Sequence, residues 1–379
     1  MTVRVELVAP DGEIWSGMAR MVIAKTLDGD IGILTGHPPV VGVLADRSGP
    51  ESALVAEVRR VVAEAVQSGR IDRAVQFESE TAEGLPTGTS AAVAEAFERL
   101  VARRPLVVLG PTITDNGLVV SDLADAVRIP CCNWTGSEET RSEWMFQYQI
   151  GSLEEEPHLL AAHLSSLGHR RVVVVQDRSP IGRRYGAFFD RAADREGLEV
   201  VSRNLVSPVA DEVGPLAERL GRVEADALCY LGLGLAAGAL GEALEGTSHP
   251  PVVANSALMF GYAVPEWSAR WEGWTYVDAW TEDNPRLSEL LAGRGDGAGL
   301  PLQIAAGDDL GRLLVEALAG AELLTPAGVK DSLERMKWLP ASLGRPGTTM
   351  GFGVHERGAL KGGYILLRRW SGGHSVAVR

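Results

Sequence analysis

Cysteine is scarce in this chain, with three among 379 residues. Cys131 and Cys132 are adjacent, and Cys229 lies in an apolar run at 225–235. An odd number of cysteines, without a C-x-x-C pair or a histidine at ligand spacing, argues against a disulfide framework and against a zinc site. We therefore predict that the three thiols are buried as small apolar groups and that the chain holds no metal.

Long apolar runs are also missing. No stretch reaches the ~18 residues that a membrane-spanning helix needs. The first nine residues alternate apolar and charged side chains, whereas a signal peptide has a basic start followed by an apolar block. As written, the chain is predicted to stay in the cytoplasm and to have no membrane span.

Basic residues are outnumbered, with 36 Lys and Arg against 50 Asp and Glu, and the net charge is −14. This charge repels phosphate backbones, and no stripe of basic residues offsets it, so a nucleic-acid partner is not expected. The acidic residues are spread along the chain, which is typical of a solubilising surface.

Catalytic motifs are absent as well. The sequence contains no G-x-S-x-G and no G-x-x-x-x-G-K-[ST], and none of its seven histidines stands in a nucleophile motif. We therefore predict a protein that is not an enzyme and that uses no cofactor.

What the sequence does contain is an alternation of strand and helix patterns from residue 40 onward. A chain of this length is too long for one core, and two series of β-α-β units, at 40–134 and 171–255, predict two doubly wound α/β lobes joined by a hinge. The predicted first lobe spans 40–150 plus 281–345, and the second lobe spans 151–280. Residues 346–379 are expected to form a C-terminal β segment near the hinge, and residues 1–39 a short segment of β-hairpins.

Polar residues follow the predicted strands of both lobes. In open α/β sheets, ligands bind beyond the carboxyl ends of the strands, so these side chains are the candidate ligand contacts. Some of them, such as Thr112, Thr114 and Ser137, have the alternative role of capping a helix. The candidates are Ser48, Thr112, Thr114, Asp115, Asn116, Thr135 and Ser137 from the first lobe, and Arg178, Tyr185, Asn255 and Ser256 from the second.

Several of these segments, taken in order, resemble the type I periplasmic binding proteins of the leucine/isoleucine/valine-binding family over residues 40–369. Residues 41–50 (VGVLADRSGP) are similar to the opening strand and its loop, and residues 107–116 (VVLGPTITDN) to the third strand and its ligand-facing turn. Residues 129–137 are similar to the next strand and turn, and residues 171–182 to the strand that opens the second lobe. The resemblance implies a two-lobed protein that closes around a small molecule.

The second lobe departs from the amino-acid-binding members of that family. These members place an acidic residue after the fourth strand of the second lobe, whereas the matching residues 254–257 here are ANSA. The aromatic residue that precedes the family's glycine is Ile181 in this chain. Because a buried ammonium without a partner is costly, we predict that the pocket prefers an amide or a short carboxylic acid over a plain α-amino acid.

The first 39 residues resemble a different family, the N-terminal β-sandwich of the ATP synthase epsilon subunit, above all through residues 29–39 (GDIGILTGHPP). That sandwich needs roughly twice this length, so we do not expect ATP synthase epsilon function. The junction at residues 39–44 is consistent with a gene fusion, with mis-joined reading frames or with a chimera.

Two functions are compatible with these observations. The first is the solute-binding component of an ABC importer, whose partners are a small-molecule ligand and a membrane permease. The second is a cytoplasmic small-molecule sensor of the same fold that regulates a partner protein. Family members are usually periplasmic or attached to the cell surface, so the epsilon-like segment could stand where a signal peptide would be.

Overall fold

The computed structural model describes residues 3–9, 12–19, 21–26, 29–34, 38–208, 213–220, 222–292, 294 and 300–378. Before residue 38, the described residues form two antiparallel pairs of strands. Strand β1 (Val3–Ala9) pairs with β2 (Gly12–Ala19), and β3 (Met21–Thr26) pairs with β4 (Gly29–Leu34). Each pair is a two-stranded sheet of its own, as the hairpin pattern predicts.

The first lobe is built on a five-stranded parallel sheet in the order β6-β5-β7-β8-β9. Both faces of the sheet are buried, because Val107 and Leu109 belong to one apolar cluster and Val108 to another. Its elements are β5 (Val40–Ala45), α1 (Ala53–Gln67), β6 (Gln76–Thr81), α2 (Ser90–Val101), β7 (Val107–Leu109), α3 (Thr114–Val127), β8 (Cys131–Asn133), a 3₁₀ turn (Glu138–Thr140) and β9 (Met145–Gln147).

The second lobe repeats this order with the parallel strands β11-β10-β12-β13-β14. Val173 and Val175 face one buried cluster, and Val172 and Val174 face another, so the apolar run at 172–175 forms a strand covered on both faces. Its elements are α4 (Glu156–Ser166), β10 (Arg171–Asp177), α5 (Pro180–Glu196), β11 (Glu199–Val206), α6 (Gly214–Leu220), β12 (Ala227–Leu231), α7 (Leu235–Leu244), β13 (Val252–Ala254), a 3₁₀ segment (Ser256–Tyr262), α8 (Pro265–Arg270) and β14 (Thr275–Asp278).

The chain then returns to the first lobe, where a long helix at residues 301–320 packs on α1. The C-terminal residues 346–379 are divided between the lobes: strands up to residue 361 contribute to the core of the first lobe, and the last two strands extend the second sheet beside β14. The elements are α9 (Pro285–Ala292), α10 (Pro301–Gly320), α11 (Pro326–Arg335), β15 (Leu339–Pro340), β16 (Thr349–Met350), β17 (Leu360–Lys361), β18 (Leu366–Ser371) and β19 (His374–Ala377).

The chain crosses between the lobes three times: between β9 and α4, after β14, and between β17 and β18. The first and third crossings are joined, because the Gln149 side-chain oxygen accepts the Leu360 N–H at 2.9 Å. Beside the second crossing, the buried Arg368 guanidinium donates to both carboxylate oxygens of Glu282, at 2.9 and 2.6 Å. The predicted fold, two doubly wound lobes joined at a hinge, is confirmed.

Candidate functional site

The loop after β7 is shaped by Asp46, a residue that the sequence analysis did not select. The Asp46 carboxylate follows β5 and accepts the backbone N–H groups of Thr112 and Ile113, at 2.7 and 3.3 Å, and the Asn116 amide at 2.6 Å. Burial raises the pKa of Asp46, although these hydrogen bonds act to lower it. Asp46 therefore holds the start of α3 in place at the edge of the first sheet.

Asp177 has the equivalent position in the second lobe, at the end of the first strand β10. It is fully buried, and its carboxylate accepts the Leu233 N–H at 2.6 Å and the Ser179 N–H at 3.1 Å. Leu233 follows β12, just as Thr112 follows β7. Each lobe thus uses an aspartate at the end of its first strand to fix the loop that follows its third strand. An aspartate at the end of an opening strand was the sequence signal that could have identified both residues.

Several of the predicted ligand contacts in the first lobe already form hydrogen bonds with residues of the same lobe. Ser48 is exposed, and both its backbone N–H and its hydroxyl donate to Glu83. The Asn116 side chain is buried and also accepts the Leu85 N–H at 2.9 Å. These two side chains organise loops of the first lobe.

Thr135 and Ser137 are fully buried beyond the end of β8. The Thr135 hydroxyl donates to the Asn133 side chain at 3.1 Å and lies 2.9 Å from the Thr140 hydroxyl. The Ser137 hydroxyl donates to Glu154 at 2.7 Å, so it connects the first lobe to the segment that leads into the second. It also caps the following 3₁₀ turn, which is the alternative role foreseen for this serine.

Thr112 and Thr114 lie where the loop after β7 leads into α3. Thr112 is exposed, whereas Thr114 is buried as the first residue of α3. The side chain of Thr114 does not cap the helix, because the N-cap position is Ile113, which makes no side-chain capping bond. The alternative capping role therefore does not describe Thr114.

In the second lobe, the predicted contacts Arg178 and Asn255 differ in their exposure to solvent. Arg178 is exposed, and its carbonyl oxygen accepts a hydrogen bond from Arg183 at 2.7 Å. The buried Asn255 side chain bridges to Gly232, donating to its carbonyl at 2.9 Å and accepting its N–H at 3.2 Å. Asn255 therefore joins the loops after β12 and β13.

Tyr185 and Ser256 are brought together, and a buried carboxylate lies with them. The Tyr185 hydroxyl is 3.4 Å from the Ser256 hydroxyl, and Glu156 accepts the Ser256 N–H at 2.7 Å and the Ser256 hydroxyl at 2.9 Å. Residues 254–257 at the end of β13 carry no carboxylate of their own, as the sequence shows. The carboxylate comes from α4 instead, because the start of that helix packs beside the β13 loop.

Across the cleft, α5 of the second lobe contacts the first lobe directly. The Arg184 guanidinium lies 3.0 Å from Asp115 on α3 and 3.2 Å from Glu139 in the 3₁₀ turn. Ile113 also packs against the apolar cluster of the second lobe. The two lobes therefore touch across the cleft in this structure, and the predicted contact Asp115 is paired with an arginine.

A cavity of about 430 Å³ opens beside this contact and is lined from both lobes. Burial, followed by the charges of Arg195 and Arg191, lowers the pKa of His158 at its wall. The lining residues are Glu138, Glu139, Glu154, Glu155, His158, Phe188, Arg191 and Arg195. Acidic side chains from both lobes thus face arginines of α5 across the opening.

Comparison with known proteins identifies the class to which this architecture belongs. The family model described as periplasmic binding protein matches residues 38–361, and the chain belongs to that family. No helix among the described residues combines the length and the apolar character needed to cross a membrane.

Solved structures with the same fold cover nearly the whole chain. A type 1 periplasmic binding protein from Bordetella pertussis Tohama I superposes with a TM-score of 0.75 at 15% identity, over 90% of this chain and 100% of that one. A leucine-binding protein from Thermotoga maritima MSB8 gives 0.74 at 14% identity, over 90% and 98%. A solute-binding protein from Rhodopseudomonas palustris, in complex with 4-hydroxybenzoate, gives 0.72 at 17% identity, over 90% and 96%. At these identities the likeness establishes the fold.

The N-terminal residues match a second family model, the β-sandwich domain of the ATP synthase delta/epsilon chain, over residues 2–48. The ATP synthase epsilon chain of Frankia casuarinae is 56% identical over 45 residues, which is 12% of this chain and 53% of that protein. The epsilon chain of Streptomyces avermitilis is 49% identical over 67 residues, 18% of this chain and 52% of that protein. The chain therefore spans about half the length of the curated relatives it matches, and both predicted resemblances are confirmed.

Proposed function

We propose that this protein captures a small polar molecule between its two lobes and presents it to the permease of an ABC importer, without catalysing a reaction. The contact between α5 and α3 carries this proposal, because it joins a helix that follows a strand of the second lobe to a helix that follows a strand of the first. The three chain crossings between the lobes support it further, because a few connecting segments of this kind serve as a hinge. Two proteins of the same fold bear names that state their ligands, leucine in one and 4-hydroxybenzoate in the other.

Four of the predicted residues are the proposed ligand contacts. Thr112 lies in the loop before α3 and Thr114 is the first residue of that helix, and a threonine hydroxyl can donate to a carboxylate or carbonyl oxygen. Tyr185 and Ser256 present hydroxyl groups from the second lobe. The remaining candidates support these positions by fixing the loops around them.

A ligand screen tests the proposal. Amino acids, amides and short carboxylic acids are added to the full chain, and the melting temperature is measured. A ligand at 100 times its Kd raises the free energy of unfolding by ~2.7 kcal/mol. Replacing Thr114 with valine should weaken binding of the positive compound, whereas Thr247→Val, at an exposed threonine after the end of α7, should not.

Two outcomes would count against the proposal. If no compound of these classes stabilises the protein, solute capture is not its function. If a compound binds but the protein fractionates with the cytoplasm, ligand sensing coupled to a regulated partner protein becomes the better account than import.

A further inference from the structure

The 3₁₀ segment Ser256–Tyr262, which follows β13 of the second lobe, is packed between the two lobes. Its Met259 and Tyr262 side chains each pack against two buried apolar clusters. One of these clusters fills the first lobe and includes Trp280 of the second crossing, and the other lies in the second lobe. The segment therefore joins the lobes through its side chains, in addition to the three crossings of the chain.

The first residue of this segment belongs to the candidate ligand site. The Ser256 hydroxyl lies 3.4 Å from the hydroxyl of Tyr185, another predicted ligand contact. Ser256 also lies close to the first crossing, because a Cβ atom at Gly151 would come within 3.0 Å of the Ser256 hydroxyl. Gly151 has a φ of +111°, a conformation that favours glycine, so the backbone can make this approach. A molecule that binds at Ser256 therefore acts directly on one end of the segment.

The last residue of the segment, Tyr262, takes part in a buried hydrogen-bond network at the second crossing. Its hydroxyl donates to the Asp278 carboxylate at 2.6 Å, accepts the Trp280 indole N–H at 2.8 Å and lies 2.8 Å from the Tyr276 hydroxyl. Asp278 is the last residue of β14, and Trp280 follows it by two positions. These hydrogen bonds therefore hold the point at which the chain leaves the second lobe.

The same network reaches the two strands that follow the third crossing. The Tyr276 hydroxyl lies 2.7 Å from the Ser375 hydroxyl on β19, and Nε of Arg368 on β18 donates to that serine oxygen at 2.7 Å. Each hydroxyl group has one proton to donate, so a consistent assignment directs every donor toward the carboxylate. The series of donors thus begins at Arg368 and ends at Asp278, with the Tyr262 hydroxyl as its last donor.

The Asp278 carboxylate depends on this last donor. Asp278 is buried, and burial raises its pKa to about 6 against the opposing effects of its hydrogen bonds and of the Arg368 charge. Among these opposing effects, the hydrogen bond from Tyr262 is the largest. Because a buried carboxylate without donors is costly, the geometry of the second crossing is tied to the position of the Tyr262 hydroxyl.

We propose that Tyr262 is a positioning residue that couples the candidate ligand site to the hinge. A molecule bound at Ser256 fixes one end of the 3₁₀ segment, and the Tyr262 hydroxyl at the other end holds the second crossing in the conformation in which the lobes touch. The inference rests on the proposed function and adds to it the residue that regulates closure. Because such coupling is reciprocal, loss of the Tyr262 hydroxyl both opens the lobes and weakens ligand binding.

The first test compares the ligand-free forms of two variants of the full chain. Tyr262→Phe removes the hydroxyl at the hinge, and the control Tyr230→Phe removes a buried hydroxyl that accepts the Gly234 N–H at 3.2 Å within the second lobe. A hydrogen bond to a charged group corresponds to a factor of about ten or more in an equilibrium constant. Small-angle scattering should therefore show a larger radius of gyration for Tyr262→Phe, and an unchanged radius for Tyr230→Phe.

Ligand affinity gives a readout that a loss of stability alone would not move. Leucine and 4-hydroxybenzoate, which the names of two proteins of this fold state as ligands, join the compounds of the screen as probes. The Kd of each probe that binds is measured by titration calorimetry well below the melting temperatures of the variants. It should rise by up to about tenfold in Tyr262→Phe, because a smaller fraction of the protein is closed, and by less than about twofold in Tyr230→Phe.

A double-mutant cycle tests whether the 3₁₀ segment carries the effect. In protein that already contains Ser256→Ala, the contact at the ligand end of the segment is lost. Adding Tyr262→Phe to that variant should therefore raise the Kd of the probe by less than it does in the unmodified protein. Equal effects in both backgrounds would contradict coupling through the segment.

The possible results separate this inference from the proposed function. If Tyr262→Phe does not fold, Trp280→Phe takes its place, because it removes the indole donor to the Tyr262 hydroxyl and should change the radius and the Kd in the same direction. A radius or a Kd that does not differ from that of Tyr230→Phe overturns the coupling and leaves solute capture standing. If no compound binds to the unmodified protein, both proposals are overturned.

Discussion

The guanidinium of Arg184 lies 3.0 Å from the carboxylate of Asp115, and this ion pair joins α5 of the second lobe to α3 of the first. Glu139 adds a second acceptor at 3.2 Å. The side chains of Arg184 and Asp115 are 25% and 11% exposed, so solvent screens the pair only in part. The pair stabilises the conformation in which the lobes touch, and it gives Asp115 a role other than ligand contact.

Removing this arginine should open the cleft. In Arg184→Gln, the loss of an ion pair of this exposure should shift the balance between closed and open forms by about 1 kcal/mol, or roughly fivefold. Small-angle scattering without ligand should show a larger radius of gyration than in the unmodified protein, and added salt should reduce the difference. Arg183→Gln is the matched control, because the exposed Arg183 donates to the Arg178 carbonyl in the loop before its own helix. An equal radius for both variants would contradict a bridging role.

Arg368 should be among the residues most important for stability near the hinge. It is fully buried, donates to Glu282 with both terminal nitrogens, and lies 3.6 Å from the centre of the Trp280 ring. Glu282 is 57% exposed, so the main loss in Arg368→Leu is the set of hydrogen bonds from the buried guanidinium to the Trp280 carbonyl and to Ser375. The free energy of unfolding should fall by about 2–3 kcal/mol. Urea denaturation measures this change, and the neighbouring exposed Arg369→Leu should cost about 1 kcal/mol or less.

The fold could be predicted because its strands are marked locally in the sequence. The run at 172–175 is apolar at every position, as expected for a strand covered on both faces, and the structure buries all four valines. The order of such runs also carried the resemblance to the binding-protein family. Local patterns of this kind depend on neighbours a few residues apart, and these are visible in a sequence.

The chemistry of the site could be predicted only in part, because it depends on contacts between distant loops. Glu156 meets Ser256 although 100 positions separate them, and Arg184 meets Asp115 over 69 positions. The residue type also does not reveal whether a polar side chain is already hydrogen-bonded within the protein and is therefore not available to a ligand. Asn255 follows a strand as a ligand contact would, yet both ends of its amide are bonded to Gly232.

The raised pKa of Glu156 should appear in the pH dependence of stability. Its folded pKa of about 7 lies above the ordinary value of 4.5, so the folded state binds the proton more tightly than the unfolded state. Stability contributed by this group is therefore present below about pH 4.5 and falls as the pH rises toward 7, by on the order of 3 kcal/mol. Melting curves from pH 5 to pH 8 should show a steeper decline for the unmodified protein than for Glu156→Gln. Parallel declines would mean that another group dominates.

The N-terminal segment should be dispensable for the stability of the two lobes. Among the described residues, the buried apolar clusters of the lobes begin at Val41. The Pro39 carbonyl accepts the Gln76 N–H at 2.9 Å, so a deletion that spares the first sheet must keep Pro39. Deleting residues 1–37 keeps that bond and removes both hairpins, so the melting temperature should change by no more than about 2 °C. In a chain of this size, such a shift corresponds to a change of under about 1 kcal/mol in the free energy of unfolding. A deletion that also removes Pro39 and Val40 is the comparison, because it shortens β5 and should destabilise the first sheet. If the shorter deletion already yields unfolded or aggregated protein, the epsilon-like segment is part of the folding unit.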